Sequence, residues 1–125
     1  MQANVSFDEG ATLEPLATSL HGVGLANPQP GETVVIQGAG IIGLGCVQAS
    51  KTMVPCRVIV VDASARRLEL AHRFGADATV NLTETDPLET VLALPGDSTS
   101  TTSSGAVWRC PAWSNWQSKA RRAWR

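Results

Sequence analysis

The 125-residue chain predicts an α/β fold, a doubly wound parallel sheet of which the first half is encoded. Three observations carry the prediction. Two runs, TVVIQ (33–37) and RVIVVD (57–62), are β-branched and apolar almost throughout, as strands buried on both faces are. Segments of helical period separate and follow them. A glycine-rich turn, Gly38-Ala39-Gly40-Ile41-Ile42-Gly43, joins the first run to the helix after it.

In order along the chain, Glu9 to Val23 is amphipathic and predicts a helix. Pro15 is best accommodated in a first turn, so regular helix is expected from about Glu14. NPQPGE (27–32) is a turn, and TVVIQ is the first strand. Residues 38–53 form the glycine turn and its helix, stopped near Pro55, and RVIVVD is the second strand. SARRLELAHRFG (64–75) is a helix with Ser64 as N-cap, Leu68, Ala71 and Phe74 at helical spacing, and Gly75 at its C-terminus. ATVN (78–81) is a short third strand. Asp86 then caps a helix with Pro87 at its first position, ending near Leu94 before Pro95-Gly96. The expected strand order is 3-2-1 with right-handed crossovers.

Length and composition fit one small domain: 43% of residues are hydrophobic, and no apolar run is long enough to span a bilayer. The first twenty residues hold three acids and no base, unlike a signal or transit peptide. Cys46, Cys56 and Cys110 are odd in number and lack CxxC spacing, which argues against a disulfide framework or a zinc finger. A cytoplasmic protein without a membrane partner is the expectation.

The turn carries the chemistry. Its position between a strand and a helix raises the GxGxxG pattern above coincidence. Gly38 permits the tight turn, Gly40 lets backbone approach a diphosphate, and Gly43 lets the helix lie close to the sheet. The following helix start, Ile41 to Gly43, offers unpaired amides and a positive dipole end to an anion. Asp62 ends the second strand, where a carboxylate would accept both hydroxyls of an adenosine ribose. It would repel a 2′-phosphate, favouring NAD over NADP. The competing interpretation is that the glycines serve packing and Asp62 is a solvated strand end. Arg67, one turn into the next helix, is in reach of the ribose or phosphate, although such a residue alone is more often solvated.

FDEGATLEPLATSLHGV, PGETVVIQGAGIIGLGCVQASK and RVIVVDASARRLELAHRFGADATVN together resemble the coenzyme-binding domain of the zinc-dependent medium-chain alcohol dehydrogenases, a Rossmann-type domain. The polyol and threonine dehydrogenase branch is the most similar. The resemblance covers roughly residues 5–97. It implies oxidation of a secondary alcohol or polyol, or of threonine, by hydride transfer to NAD, with a catalytic zinc. It also implies that Asp62 and Arg67 are the ribose-binding acid and its basic companion. Glu14, in LEPLA, matches a position from which that branch supplies a carboxylate to the zinc. Without the resemblance Glu14 would be an ordinary acid near a helix start. His21 and His72 lack metal-like spacing.

On this comparison residues 1–32 are a lead-in whose helix comes from the junction of the catalytic and coenzyme domains, and 33–97 are a partial NAD-binding domain. The family's zinc ligands come from a domain absent here, so zinc is not expected to be held, and the fragment is expected to lack catalytic competence. The dimer edge that makes the family oligomeric is not visible, and the first strand is expected to be an unpaired edge.

Composition breaks near residue 98. All 11 acids and five of the ten bases lie in 1–97, while 98–125 hold five bases, no acid and all four tryptophans, after seven consecutive hydroxyl residues. Residues 98–125 are expected to be a disordered tail outside the family pattern. A basic, tryptophan-rich segment suits nucleic acid, yet the tryptophans form no clean apolar face for a membrane surface. The favoured reading is translation in a shifted frame. Reading from the third base of each codon, Asn115-Trp116 must give Leu and Trp116-Gln117 must give Ala, and a continuation resembling the family's next strand and helix is permitted. The function expected is thus an NAD-binding dehydrogenase fragment. The alternatives are a non-enzymatic nucleotide-binding fragment or a protein with a nucleic-acid-binding tail.

Overall fold

The computed structural model describes residues 5–93, 99–103 and 106–109. Helix α1 (Phe7–Ala26) leads into β1 (Thr33–Gln37), α2 (Ile41–Met53), β2 (Arg57–Asp62), α3 (Ala65–Arg73), β3 (Ala78–Asn81) and α4 (Pro87–Ala93). Two further strands follow, β4 (Thr99–Ser103) and β5 (Ala106–Arg109). The fold is the expected open α/β sheet with crossover helices, and β3-β2-β1 stand in the expected order.

Two expectations are corrected. Regular helix begins at Phe7, not near Glu14, and runs through Pro15. Ser6 and Glu9 form a reciprocal capping box: Ser6 Oγ accepts from the Glu9 amide at 3.2 Å, and the Ser6 amide donates to Glu9 Oε2 at 2.8 Å. That cap fixes the start seven residues upstream of the expected one. Pro15 is buried and leaves the Ala11 carbonyl without its helical donor, and Ala11 is solvent-exposed, so water can take the donor's place.

The second correction concerns the sheet edge and the tail. β1 is central: β2 pairs along one side in parallel, Thr33 to Arg57 through Gln37 to Val61, and β4 along the other, Thr33 to Thr99 through Gln37 to Ser103. The hydroxyl run expected to be disordered is therefore a strand over 99–103, and β5 pairs with it antiparallel. An edge as long and apolar as that of β1 is a ready template for another strand. The backbone groups of 99–103 satisfy it, whatever the polarity of their side chains.

The core lies on both faces of β1 and β2. Val34, Ile36, Val58 and Val60 project to one face and cluster with Val23 of α1, Cys46 and Val47 of α2, and Leu68 and Ala71 of α3. The alternate residues Val35, Ile59 and Val61 are buried just as completely, as the near-continuous apolar sequences required. α1 packs on α2 and against β4 and β5. Ser19 fastens the helix pair: its hydroxyl lies 2.7 Å from the Pro15 carbonyl and 2.9 Å from the Ile42 carbonyl, a donor shared between α1 and α2. Asp77 fastens the far end. It accepts from Lys51 Nζ at 2.8 Å and from the Val58 amide at 2.7 Å, tying the α3–β3 connection to the end of α2 and the start of β2.

Candidate nucleotide-binding site

β1 delivers the chain to Gly38, whose φ of 92° lies in the left-handed region that a side chain disfavours. Its amide donates to the Val61 carbonyl at 2.7 Å, so the turn stays bonded to the end of β2. Gly40 is the N-cap of α2 and has no side chain to cap it. The first intrahelical bond runs from the Leu44 amide to the Gly40 carbonyl, so the amides of Ile41, Ile42 and Gly43 have no intrahelical acceptor. They present donors and a positive dipole end together.

The three glycines of the turn differ in surroundings. A Cβ on Gly43 would overlap the Gly38 carbonyl oxygen, so this glycine is where the helix touches the turn. A Cβ on Gly40 would meet no heavy atom within 4 Å. The space over Gly40 is open, as an approach for a ligand's diphosphate requires. Beside it the side chain of Ile41 is exposed, while Ile42 is half-buried.

Asp62 is the strongest link between sequence and site. It is 9% exposed, and both carboxylate oxygens accept backbone amides: Oδ2 from Ala39 at 2.7 Å and Oδ1 from Ser64 at 2.7 Å. The carboxylate is thereby held against the glycine turn. Each oxygen retains acceptor capacity, since a carboxylate offers about four acceptor positions and two are used. Ser64 caps α3 by position, but its side chain makes no cap hydrogen bond, and its amide serves Asp62 instead.

Arg67 lies exposed in the first turn of α3 and makes no hydrogen bond or ion pair among the described residues, leaving its guanidinium available to an anion. Glu14 is on the exposed side of α1, where Thr18 Oγ1 donates to its Oε1 at 2.9 Å. The described residues contain no group of three or more His, Cys, Asp or Glu able to hold a metal ion. Zinc requires three or four ligands, so the donor set around Glu14 does not fit zinc, whereas the turn and Asp62 fit a dinucleotide.

Cys46 and Cys56 are buried free thiols, each pushed above its ordinary pKa by burial, and neither is poised as a nucleophile. His21 is exposed, and His72 lines an open groove of about 600 Å³ between α3 and β3 with Glu69, Arg73, Asn81 and Glu84. No helix among the described residues is long and apolar enough to cross a membrane. The nucleic-acid reading of the tail falls on residues 109–125, which lie outside the described residues apart from Arg109.

A family model described as zinc-binding dehydrogenase matches residues 42–105. A probable D-xylulose reductase A of Emericella nidulans is 45% identical over 76 residues, covering 61% of this chain and 21% of the relative. Sorbitol dehydrogenase of Bos taurus is 39% identical over 93 residues, covering 74% of this chain and 26% of the relative. Among solved structures, an Escherichia coli CFT073 alcohol dehydrogenase in complex with NADH superposes with a TM-score of 0.67 at 30% identity, covering 81% of this chain and 31% of that one. The chain thus spans roughly a fifth to a third of the length of these proteins.

Proposed function

The chain belongs to the zinc-binding dehydrogenase family, and from that membership we propose that it is the NAD-binding fragment of a zinc-dependent medium-chain alcohol or polyol dehydrogenase. The observation that carries this reading is the bond from the Ala39 amide to Asp62, which fixes an acid beside a glycine turn open over Gly40. The amides of Ile41, Ile42 and Gly43 take the diphosphate. Asp62 takes the adenosine ribose hydroxyls through its remaining acceptor positions, and its charge repels a 2′-phosphate. Arg67 supplies a cation on the solvent side. NAD, when bound, supplies a hydride acceptor for the alcohol carbon.

On this proposal the chain alone does not catalyse. Its described residues assemble no zinc donor set, and Glu14 serves a metal only when other donors are brought to it from elsewhere. The names of the relatives, a sorbitol dehydrogenase and a D-xylulose reductase, support a polyol and its ketose as the substrate pair of the complete enzyme. A cytoplasmic location and the shifted-frame origin of 98–125 belong to the same proposal. Sequencing the gene through codons 94–100 tests the latter.

The binding test is a calorimetric titration with NADH and with NADPH. The parent chain is expected to bind NADH and to bind NADPH at least about tenfold more weakly. Gly40→Val is expected to abolish binding at little cost to folding, because a Cβ at this position meets no heavy atom of the described residues within 4 Å beyond its chain neighbours. Undiminished binding by Gly40→Val, or equal affinity for the 2′-phosphorylated coenzyme, refutes the assignment.

A further inference from the structure

We propose that the site recognises adenosine-diphosphate ligands as a class, ADP-ribose as readily as NAD or NADH, without reading the nicotinamide end. The inference rests on the nucleotide-binding role proposed above for residues 38–43. In a doubly wound sheet a dinucleotide lies across the crevice at the carboxyl ends of the strands, one nucleotide on each βαβαβ half. The first half is complete here as β1, α2, β2, α3 and β3. The amides of 41–43 and the carboxylate of Asp62 all belong to it.

The second half starts and then departs from the pattern. β4 runs parallel to β1 and brings its carboxyl end, Ser103, beside Gln37 at the ligand end of the sheet. A second nucleotide unit would continue from there through a crossover of a dozen or more residues to a strand parallel to β4. Instead β5 begins at Ala106 and returns antiparallel, with Ser103 opposite Ala106 and Ser100 opposite Arg109. The two residues between β4 and β5 leave no room for a crossover helix. The outer edge of β4, where the second unit's parallel strand belongs, is already occupied. The carboxyl end of β5 lies at the opposite end of the sheet from the glycine turn. No helix start is therefore carried from β4 to the nicotinamide side of the crevice by the described chain. Adenosine, its ribose and the diphosphate meet the described chain, while the distal ribose and nicotinamide pass beyond β1 and meet none of the described residues, so the redox state of the nicotinamide is expected to leave affinity unchanged.

Calorimetric titration of the full chain with NAD, NADH, ADP-ribose and nicotinamide mononucleotide tests this. The first three are expected to bind with dissociation constants within about threefold of one another, and the mononucleotide to give no heat at the same concentrations. Saturation-transfer NMR on bound NAD is expected to mark the adenine protons and spare the nicotinamide protons. NAD or NADH binding about tenfold or more tightly than ADP-ribose, or saturation reaching the nicotinamide ring, overturns this inference and leaves the nucleotide site standing. If no ligand binds, the nucleotide-binding assignment falls and this inference falls with it.

Discussion

Gly43→Ala places a methyl group at the closest approach of α2 to the glycine turn. The new Cβ would overlap the Gly38 carbonyl oxygen and lie 2.9 Å from the Gly38 carbonyl carbon, with Ile36 Cγ2 at 3.6 Å. Carbon atoms rest at about 3.5–4.0 Å, and both encroached atoms are backbone, so relief requires α2 and the turn to separate. Overpacking of this kind costs about 1–3 kcal/mol, and the backbone clash puts it at the upper end. Alanine recovers about 1 kcal/mol over glycine inside a helix. The net loss is about 2 kcal/mol, a drop of about 1 M in the urea midpoint at unchanged slope. Gly40→Ala is the control. Its φ of −77° suits alanine and its Cβ meets no heavy atom within 4 Å, so the stiffer unfolded chain offsets the poorer N-cap that alanine makes and stability stays within about 0.5 kcal/mol, while NADH affinity falls. Urea unfolding followed by far-UV circular dichroism, with NADH titration of both variants, separates the two roles. A parent-like midpoint for Gly43→Ala, or an equal drop for Gly40→Ala, refutes the reasoning.

Three further substitutions test the supports of the site. Ser19→Ala removes the buried hydroxyl between the Pro15 and Ile42 carbonyls and is expected to lower stability by about 1 kcal/mol, read as a reduced urea midpoint. Ser50→Ala is expected to act oppositely: its Oγ is buried without a hydrogen-bond partner among the described residues, so removal raises stability by about 1 kcal/mol, read as a higher melting temperature. Asp77→Asn is expected to cost about 1 kcal/mol at pH 7. Burial pushes the Asp77 carboxyl up, but the hydrogen bonds from Lys51 and the Val58 amide outweigh it and hold the carboxyl below its ordinary value. A carboxyl depressed on folding stabilises above its unfolded pKa and loses that stabilisation as pH falls through the folded one. The deficit of Asp77→Asn is therefore expected to shrink below about pH 4, and a constant difference between midpoints at pH 7 and pH 3 contradicts it.

The central elements were legible because their signals are local. β1 and β2 are apolar runs bounded by turn residues, and the glycine spacing between β1 and α2 announces a close approach that the Gly43 contact bears out. The start of α1 was also written in the sequence, as the Ser6–Glu9 capping-box spacing, but Pro15 drew the boundary downstream. β4 carried no such signal. Its hydroxyl residues lack apolar alternation, and what makes it a strand is the open edge of β1, a partner more than sixty residues away in sequence. At the site, the position of Asp62 was readable, but not that its carboxylate holds Ala39 and Ser64. Such a bond depends on how the turn and strand end meet in space. Glu14 came from family likeness alone, and the described residues assemble no group of three or more His, Cys, Asp or Glu around a metal position.

On the role proposed above for Asp62, its double engagement bears on how coenzyme preference could change in this lineage. Admitting a 2′-phosphate calls for losing the acid, yet a small neutral replacement strands the buried Ala39 amide at a cost of about 1–3 kcal/mol. For a domain this small that is a sizeable share of its margin against unfolding. A switch of coenzyme here therefore requires a second substitution that gives the amide a new acceptor, and the two changes are expected to be tolerated together far better than in sequence.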